Sequence, residues 1–308
     1  MRKPALPQTV RLREVGPRDG LQVEQPVPPE VRARLISSLA STGLRSIEAV
    51  SFVSPKAVPS MAEPERVLQE LGRLGLPAEL TLSALVPNRR GAEMALGTDI
   101  SELTVTISAS EEYNRRNVRM SVAESVDEVR LICEMARRED VPVDAVVSCA
   151  FGSPYEGRIA PEAVSELAEV VRAAGASGVT LADTTGMATP SSVAAVLETT
   201  GRDVGLHVHE TRGTGLLNLY CALQAGVSRF DTSVGGLGGS PFAKGAAGNV
   251  ATEEVVALLE DLCIDSGVDL EKLLVVSGEF EQAIGHPVRS PLVRVGPANS
   301  GHGFPDSR

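Results

Sequence analysis

The stretch Val10-Arg11-Leu12-Arg13-Glu14-Val15-Gly16-Pro17-Arg18-Asp19-Gly20 decides between the two large α/β architectures open to this chain. Residues 10–13 read as a first strand. The turn after it carries no Gly-x-Gly-x-x-Gly, so the signature of an open, dinucleotide-cradling sheet is missing. Outward from this point, short apolar runs alternate with longer amphipathic ones along almost the whole chain. Residues 31–41 predict a helix, 46–50 a second strand, and about 63–74 a second helix. Residues 80–86 and 103–107 give the third and fourth strands, separated by a helix near 89–95. Ser121 is a helix N-cap with Glu124 three residues later, and Val122, Val126, Val129, Ile132 and Met135 mark one face of the helix that follows. Strands at 143–148, 178–181, 204–209 and 228–230 alternate with helices at 161–174, from Pro190, at 216–225 and at 253–262. Eight such units predict an α/β protein, a (β/α)8 TIM barrel with a small C-terminal extension. The barrel domain with its peripheral helix spans residues 1–285. Residues 286–308, rich in Pro, Gly and Ser, read as a flexible tail.

With 308 residues and 43% hydrophobic content, the chain can bury a large core. Aromatic residues make up 3% and Trp is absent, so Val, Leu, Ile and Ala must fill the interior, as layered α/β cores require. Forty acidic residues against 29 Lys and Arg give a net charge of -11, which argues against a nucleic-acid partner or an anionic membrane surface. An anionic ligand in a locally positive mouth remains open. Cys133, Cys149, Cys221 and Cys263 form no C-x-x-C or zinc-ribbon spacing and read as reduced, mostly buried thiols. The basic N-terminus has no apolar segment behind it, and no stretch approaches a membrane span. The chain reads as a soluble cytoplasmic protein with no membrane partner.

In a barrel of this type, chemistry sits at the C-terminal ends of the strands. Arg18 and Asp19 follow the first strand, Glu48 lies near the end of the second, Asp183 follows the sixth, and His207 and His209 end the seventh. The pair His207-Val208-His209 stands out in a chain with four histidines. A period-2 strand sends both rings to one face, roughly 6 to 7 Å apart at the backbone, a spacing that suits one metal ion. Asp19 and Asn249, in Gly245-Ala246-Ala247-Gly248-Asn249-Val250, are candidates to complete the shell. Two nitrogen ligands with hard oxygen donors suit a divalent ion that polarises an oxygen substrate. Each residue also has a structural alternative. Arg18 and Asp19 form a salt-linked loop, Glu48 accepts backbone hydrogen bonds, Asp183 caps the next loop, and Asn249 serves a turn or helix cap. The run Gly235-Gly236-Leu237-Gly238-Gly239-Ser240-Pro241 is either a plain turn or a segment that approaches a ligand closely, with the Ser240 hydroxyl near the metal. It lacks the Gly-Lys-Ser/Thr ending of a P-loop.

Over about residues 8–285 the chain resembles the 3-hydroxy-3-methylglutaryl-CoA lyase family, within the wider group of metal-dependent TIM-barrel lyases and condensing enzymes. The resemblance is carried by Arg13-Glu14-Val15-Gly16-Pro17-Arg18-Asp19-Gly20-Leu21-Gln22, Ser51-Phe52-Val53-Ser54-Pro55-Lys56, Phe151-Gly152-Ser153-Pro154-Tyr155-Glu156-Gly157 and the histidine pair. Its strongest piece is Gly236-Leu237-Gly238-Gly239-Ser240-Pro241-Phe242-Ala243 followed by Gly248-Asn249-Val250-Ala251-Thr252-Glu253. The resemblance implies metal-dependent carbon-carbon cleavage of an acyl-CoA substrate to acetyl-CoA and acetoacetate, by a homodimer. It implies Mg2+ or Mn2+ on Asp19, His207, His209 and Asn249, and catalytic roles for Arg18, Asp19, Glu48, His207 and Ser240. Arg18 would stabilise the enolate oxygen, Glu48 orient the site, and Asp183 belong to the surrounding polar network. Three positions depart from the family pattern: Ser240 stands where a catalytic cysteine is usual, Ser153 where a cysteine is frequent, and Glu210 where an Asp commonly follows the histidines. These departures keep open a lyase for another carboxylated 3-hydroxyacyl-CoA, such as a larger 3-substituted glutaryl-CoA or citramalyl-CoA. A condensing enzyme and a noncatalytic acyl-CoA-binding protein are further alternatives.

Overall fold

The computed structural model describes residues 6–239 and 247–297. Eight parallel strands close on one another in chain order: β1 (Arg11–Glu14), β2 (Ser46–Ser51), β3 (Thr81–Leu85), β4 (Glu102–Ser108), β5 (Val143–Ser148), β6 (Gly178–Ala182), β7 (Gly205–His207) and β8 (Arg229–Thr232). The helices between them are α1 (Pro29–Ser41), α2 (Pro64–Leu74), α3 (Arg89–Leu96), α4 (Glu111–Val118), α5 (Val122–Arg138), α6 (Pro161–Ala173), α7 (Pro190–Thr200) and α8 (Gly215–Ala225); α9 (Thr252–Asp261), α10 (Leu270–Ile284) and α11 (Leu292–Val295) follow the last strand. This is the (β/α)8 barrel that the alternating pattern predicts.

The two-residue period of a strand sorts side chains between two environments. On β5, Val143, Ala145 and Val147 are buried under the helix layer, while Val146 and Ser148 reach the cavity at the barrel mouth. On β1, β7 and β8 the aliphatic or aromatic residues Leu12, Leu206 and Phe230 are buried in the core cluster. The alternate positions Arg13, His207 and Asp231 line the mouth. Polar chemistry therefore enters the barrel at alternate positions such as Arg13, Ser148, His207 and Asp231.

The Ser121 cap forms as the spacing predicts. Its hydroxyl accepts the Glu124 N–H at 3.2 Å, and the Glu124 carboxylate accepts the Ser121 N–H at 2.7 Å.

Strands β7 and β8 and helix α4 depart from the sequence reading in ways that bear on the barrel mouth. The strand predicted over 204–209 stops at His207; beyond it the chain leaves the wall and pairs with the returning segment, in an antiparallel bridge between His209 and Asn249. Val250 N donates to Val208 O at 3.3 Å and Glu210 N to Gly248 O at 3.0 Å, which consumes the bonds a longer strand would have used. The eighth strand runs two residues further than predicted and thereby includes Asp231. The whole of α4 is absent from the sequence reading, because it has no apolar stripe. It is held instead by the Ser110 cap on Tyr113 N and by exposed pairs Glu111–Arg115 at 2.7 Å and Glu112–Arg116 at 2.6 Å.

The extension docks rather than trailing away from the barrel. Helix α10 packs on α1, on α9 and on the turn Val234–Gly236. Beyond it, Val288 is buried, and the N–H groups of Arg289 and Ser290 donate to Gly235 O at 3.0 and 3.3 Å. Residues 298–308 of the predicted tail lie outside the described residues. Among the described residues no helix is long and apolar enough to cross a membrane.

Candidate metal centre and catalytic mouth

Asp19 enters the site from a single π-helical turn, Gly16–Gly20, closed by three bonds from Arg18, Asp19 and Gly20 N–H to Val15 O at 3.1, 2.7 and 3.2 Å. Pro17 starts the turn at a position where its missing N–H costs nothing. The same turn delivers Arg18, whose guanidinium pairs with Glu48 on β2 and donates to Asp19 Oδ1 at 2.6 Å. The salt-linked loop and the functional mouth are thus one arrangement.

The two imidazoles converge as predicted. His207 Nε2 lies 3.2 Å from His209 Nε2, and the ring centroids are 5.1 Å apart. Asp19, His207 and His209 each offer a ligand atom within 4.8 Å of the others. Asn249 Nδ2 donates to Asp19 Oδ2 at 2.8 Å and to Leu237 O at 3.0 Å, whereas its buried Oδ1 has no hydrogen-bond partner among the described residues. An orphaned carbonyl beside a carboxylate and two closely facing nitrogens is costly without a cation and well satisfied with one. The donor set fits a divalent metal.

Electrostatics favour the same state. Burial opposes the charge on Asp19, but Arg18 and the two histidines outweigh it and hold the carboxyl below its ordinary range. Burial, then proximity to His207, pushes His209 down to about 4, so its imidazole is neutral and able to offer a lone pair. Burial also acts against a charged His207, yet the Asp231 carboxylate at 3.2 Å from Nδ1 raises it. Around Arg18, Glu48 and Asp19 overcome desolvation and keep the guanidinium protonated.

The centre forms part of the wall of a cavity of about 820 Å³ that also meets Lys56, Asn88, Asn117 and Arg119. Glu48 reaches it from β2, and its Oε1 has no hydrogen-bond partner among the described residues. Asp183 takes the capping alternative: its Oδ1 accepts Ala188 N at 2.9 Å, and burial raises it to about 7. Glu210 points to the start of α8, where it accepts Leu216 N at 3.1 Å, and Ser153 is buried in the Ser153–Gly157 turn, bonded to Ser110 at 2.8 Å. Cys149 is buried, and desolvation pushes its thiol up to about 12. Ser240 lies outside the described residues.

Sequence reasoning missed Asp231 and Arg13. Asp231 fell just past the predicted end of its strand, and a charged residue inside an otherwise apolar run was the available signal. Asn117 and Arg119 arrive with α4, whose capping serine and charge pairs were legible in principle.

A closed parallel barrel with a two-histidine, one-carboxylate cluster and a fixed guanidinium at its mouth has the make-up of a metal-dependent (β/α)8 enzyme. Residues 9–278 match the HMGL-like family model. The chain is 42% identical over 276 residues to the mitochondrial hydroxymethylglutaryl-CoA lyase of Gallus gallus, covering 88% of this chain and 92% of the relative. A hydroxymethylglutaryl-CoA lyase structure from Pseudomonas aeruginosa superimposes with a TM-score of 0.90 at 39% identity, covering 94% of this chain and 98% of that one. An Acinetobacter baumannii HMG-CoA lyase structure, in complex with coenzyme A and 3-methylmalate, gives a TM-score of 0.90 at 37% identity, with coverage of 97% and 98%. The chain belongs to the hydroxymethylglutaryl-CoA lyase family.

Proposed function

We propose that this protein cleaves 3-hydroxy-3-methylglutaryl-CoA to acetyl-CoA and acetoacetate with a divalent metal. The observation that carries the reading is the convergence of Asp19, His207 and His209 beside an Arg18 held by Glu48. Asp19, His207, His209 and Asn249 Oδ1 would hold Mg2+ or Mn2+, which when bound supplies Lewis-acid charge to substrate oxygens.

The C3 hydroxyl gives its proton to the carboxylate of Asp19, which keeps spare lone pairs, because His207 faces Asp231 through Nδ1 and is left to hold the metal through Nε2. The C2–C3 bond then breaks, C3 becomes the ketone of acetoacetate, and its bonding electrons pass to C2 and the thioester as an enolate. Arg18 balances the charge on the enolate oxygen, while Glu48 keeps the guanidinium aimed at the mouth. Protonation of C2 completes acetyl-CoA. Ser240 stands where the family pattern places an acid cysteine; its hydroxyl or an ordered water supplies that proton. Cys149 is no substitute, because its thiol is buried and raised in pKa. The protein acts as a cytoplasmic homodimer on this reading.

The test is acetyl-CoA formation by metal-stripped protein on 3-hydroxy-3-methylglutaryl-CoA, with and without Mg2+ or Mn2+, alongside larger 3-substituted glutaryl-CoA compounds and citramalyl-CoA. Metal-dependent turnover of the first substrate supports the proposal, and preferential turnover of another thioester moves the assignment to that substrate. Tight binding without turnover, with activity appearing only in Ser240→Cys, identifies a noncatalytic binder.

A further inference from the structure

The strongest unassigned feature is a buried charge cluster within the barrel. Arg13 and Asp231 are register partners on β1 and β8, and Asp231 and His207 are register partners on β8 and β7. Parallel strands therefore set these three inward-facing side chains in one row across three neighbouring strands. The Arg13 guanidinium grips the Asp231 carboxylate as a fork, Nε to Oδ1 and Nη2 to Oδ2, both at 2.8 Å. His207 Nδ1 meets the same Oδ2 at 3.2 Å.

We propose that Arg13 is a positioning residue for the metal centre, fixing the plane of Asp231 so that His207 is held with its proton on Nδ1 and Nε2 free to bind the metal. This inference rests on the metal-dependent reading above. The geometry supports it in two ways. First, Arg13 is itself anchored on its far side, with Nη1 at 2.9 Å from Asp144 and 3.5 Å from Glu102, and the Thr180 hydroxyl donating to Asp144 at 2.7 Å. A guanidinium clamped from opposite directions cannot rotate, and neither can the carboxylate it holds in a two-point grip. Second, the neighbouring strands are cut away to make room for the cluster. A Cβ on Gly178 would lie 2.5 Å from Asp144 Oδ1, and one on Gly205 would lie 2.5 Å from Thr180 Oγ1. Small residues stand at the two positions where any side chain would disturb the anchor.

Charge neutralisation alone would explain a cation here, and lysine would serve that purpose. A planar fork would not be needed. Lysine retains the charge as a single point and loses the two-point grip, so Arg13→Lys separates orientation from neutralisation. Outer-shell partners of a ligating histidine typically carry about 10- to 100-fold in metal affinity.

The experiment is calorimetric titration of Mn2+ into metal-stripped wild type, Arg13→Lys and Arg13→Met, with thermal unfolding of each. It is joined by 15N-histidine NMR of the Mg2+-loaded wild type. We expect Arg13→Lys to remain folded and to bind Mn2+ about 10- to 100-fold more weakly, with wild-type His207 protonated on Nδ1. Wild-type Mn2+ affinity in Arg13→Lys overturns the proposal. So does an unprotonated His207 Nδ1 in the wild type, a result that stands even if neither variant folds. A wild type that binds no Mn2+ is a separate outcome, a flat titration, and removes the metal-dependent reading along with this inference.

Discussion

The Nε2 atoms of His207 and His209 face each other at 3.2 Å across rings tilted by 55°. Two neutral imidazoles cannot both point lone pairs into so short a gap without repulsion. A proton or a cation between them relieves it. Desolvation and the neighbouring His207 hold His209 near 4, so its ring is neutral and the proton shared across this gap is the N–H of one ring. A divalent cation takes up both lone pairs at once, and the first prediction is thermodynamic. Saturating Mn2+ at 100 times its Kd should stabilise the fold by about 2.7 kcal/mol. His209→Ala should lose that gain together with activity. A variant with wild-type Mn2+ affinity would reject His209 as a ligand.

Arg18 acts later in the reaction. Because the enolate charge develops only during cleavage, Arg18→Met should lower kcat by about 100- to 1,000-fold with little change in Mn2+ uptake. Steady-state kinetics beside a metal titration checks this, and equal turnover of variant and parent would rule out the role.

Gly238 sits against the Asn249 side-chain amide. Its φ is +107°, and a Cβ there would meet Asn249 Nδ2 at 2.7 Å and Asp19 Oδ2 at 3.3 Å. Gly238→Ala must displace one of the two groups whose hydrogen bond aligns Asn249 Oδ1. Metal affinity should fall about 10-fold or more, and calorimetry reads this directly. Unchanged affinity would show that Asn249 is not held by this loop.

The pH dependence of stability is set partly by Glu14, an outward-facing residue of β1 buried beneath the barrel's outer layer. Its Oε1 accepts the N–H groups of Gly16 at 2.7 Å and Val234 at 2.9 Å. Burial raises it from 4.5 to about 7, and Glu253, bonded to Gly235 N, is also raised to about 7 by burial. Each folded carboxyl keeps a proton that the unfolded chain releases near 4.5. Stability is therefore highest below that value and falls as pH rises through 7, by on the order of 3 kcal/mol per group between pH 4 and 8. Glu14→Gln mimics the protonated form, so its unfolding midpoint should fall less over that range. Parallel pH profiles for variant and parent would sink this assignment.

The barrel itself was legible along the chain because burial imposes a period. Val143, Ala145 and Val147 alternate with polar-facing neighbours, and Val122, Val129 and Ile132 repeat at helical spacing. Each pattern reports a local surface against the core. The same logic placed both histidines on one face, since Val208 between them had to turn into the hydrophobic layer. Helix α4 escaped because charge pairs and a cap stabilise it without an apolar stripe.

By its residue order alone, the chain determined the eight strand-helix units, the mouth to which Arg18, Asp19, Glu48 and the histidines are delivered, and the kind of metal donors they offer. Only the folded structure decided that the Asn249 amide lies 3.0 Å from Leu237 O with its carbonyl unpaired among the described residues, that Asp183 accepts a loop N–H and Glu210 an N–H at the start of α8, and that Arg13 reaches His207 through Asp231. The reason is physical. Periodic burial is a property of neighbouring residues, whereas a hydrogen bond between Arg13 and Asp231 depends on closing the sheet, which brings its first and last strands into register.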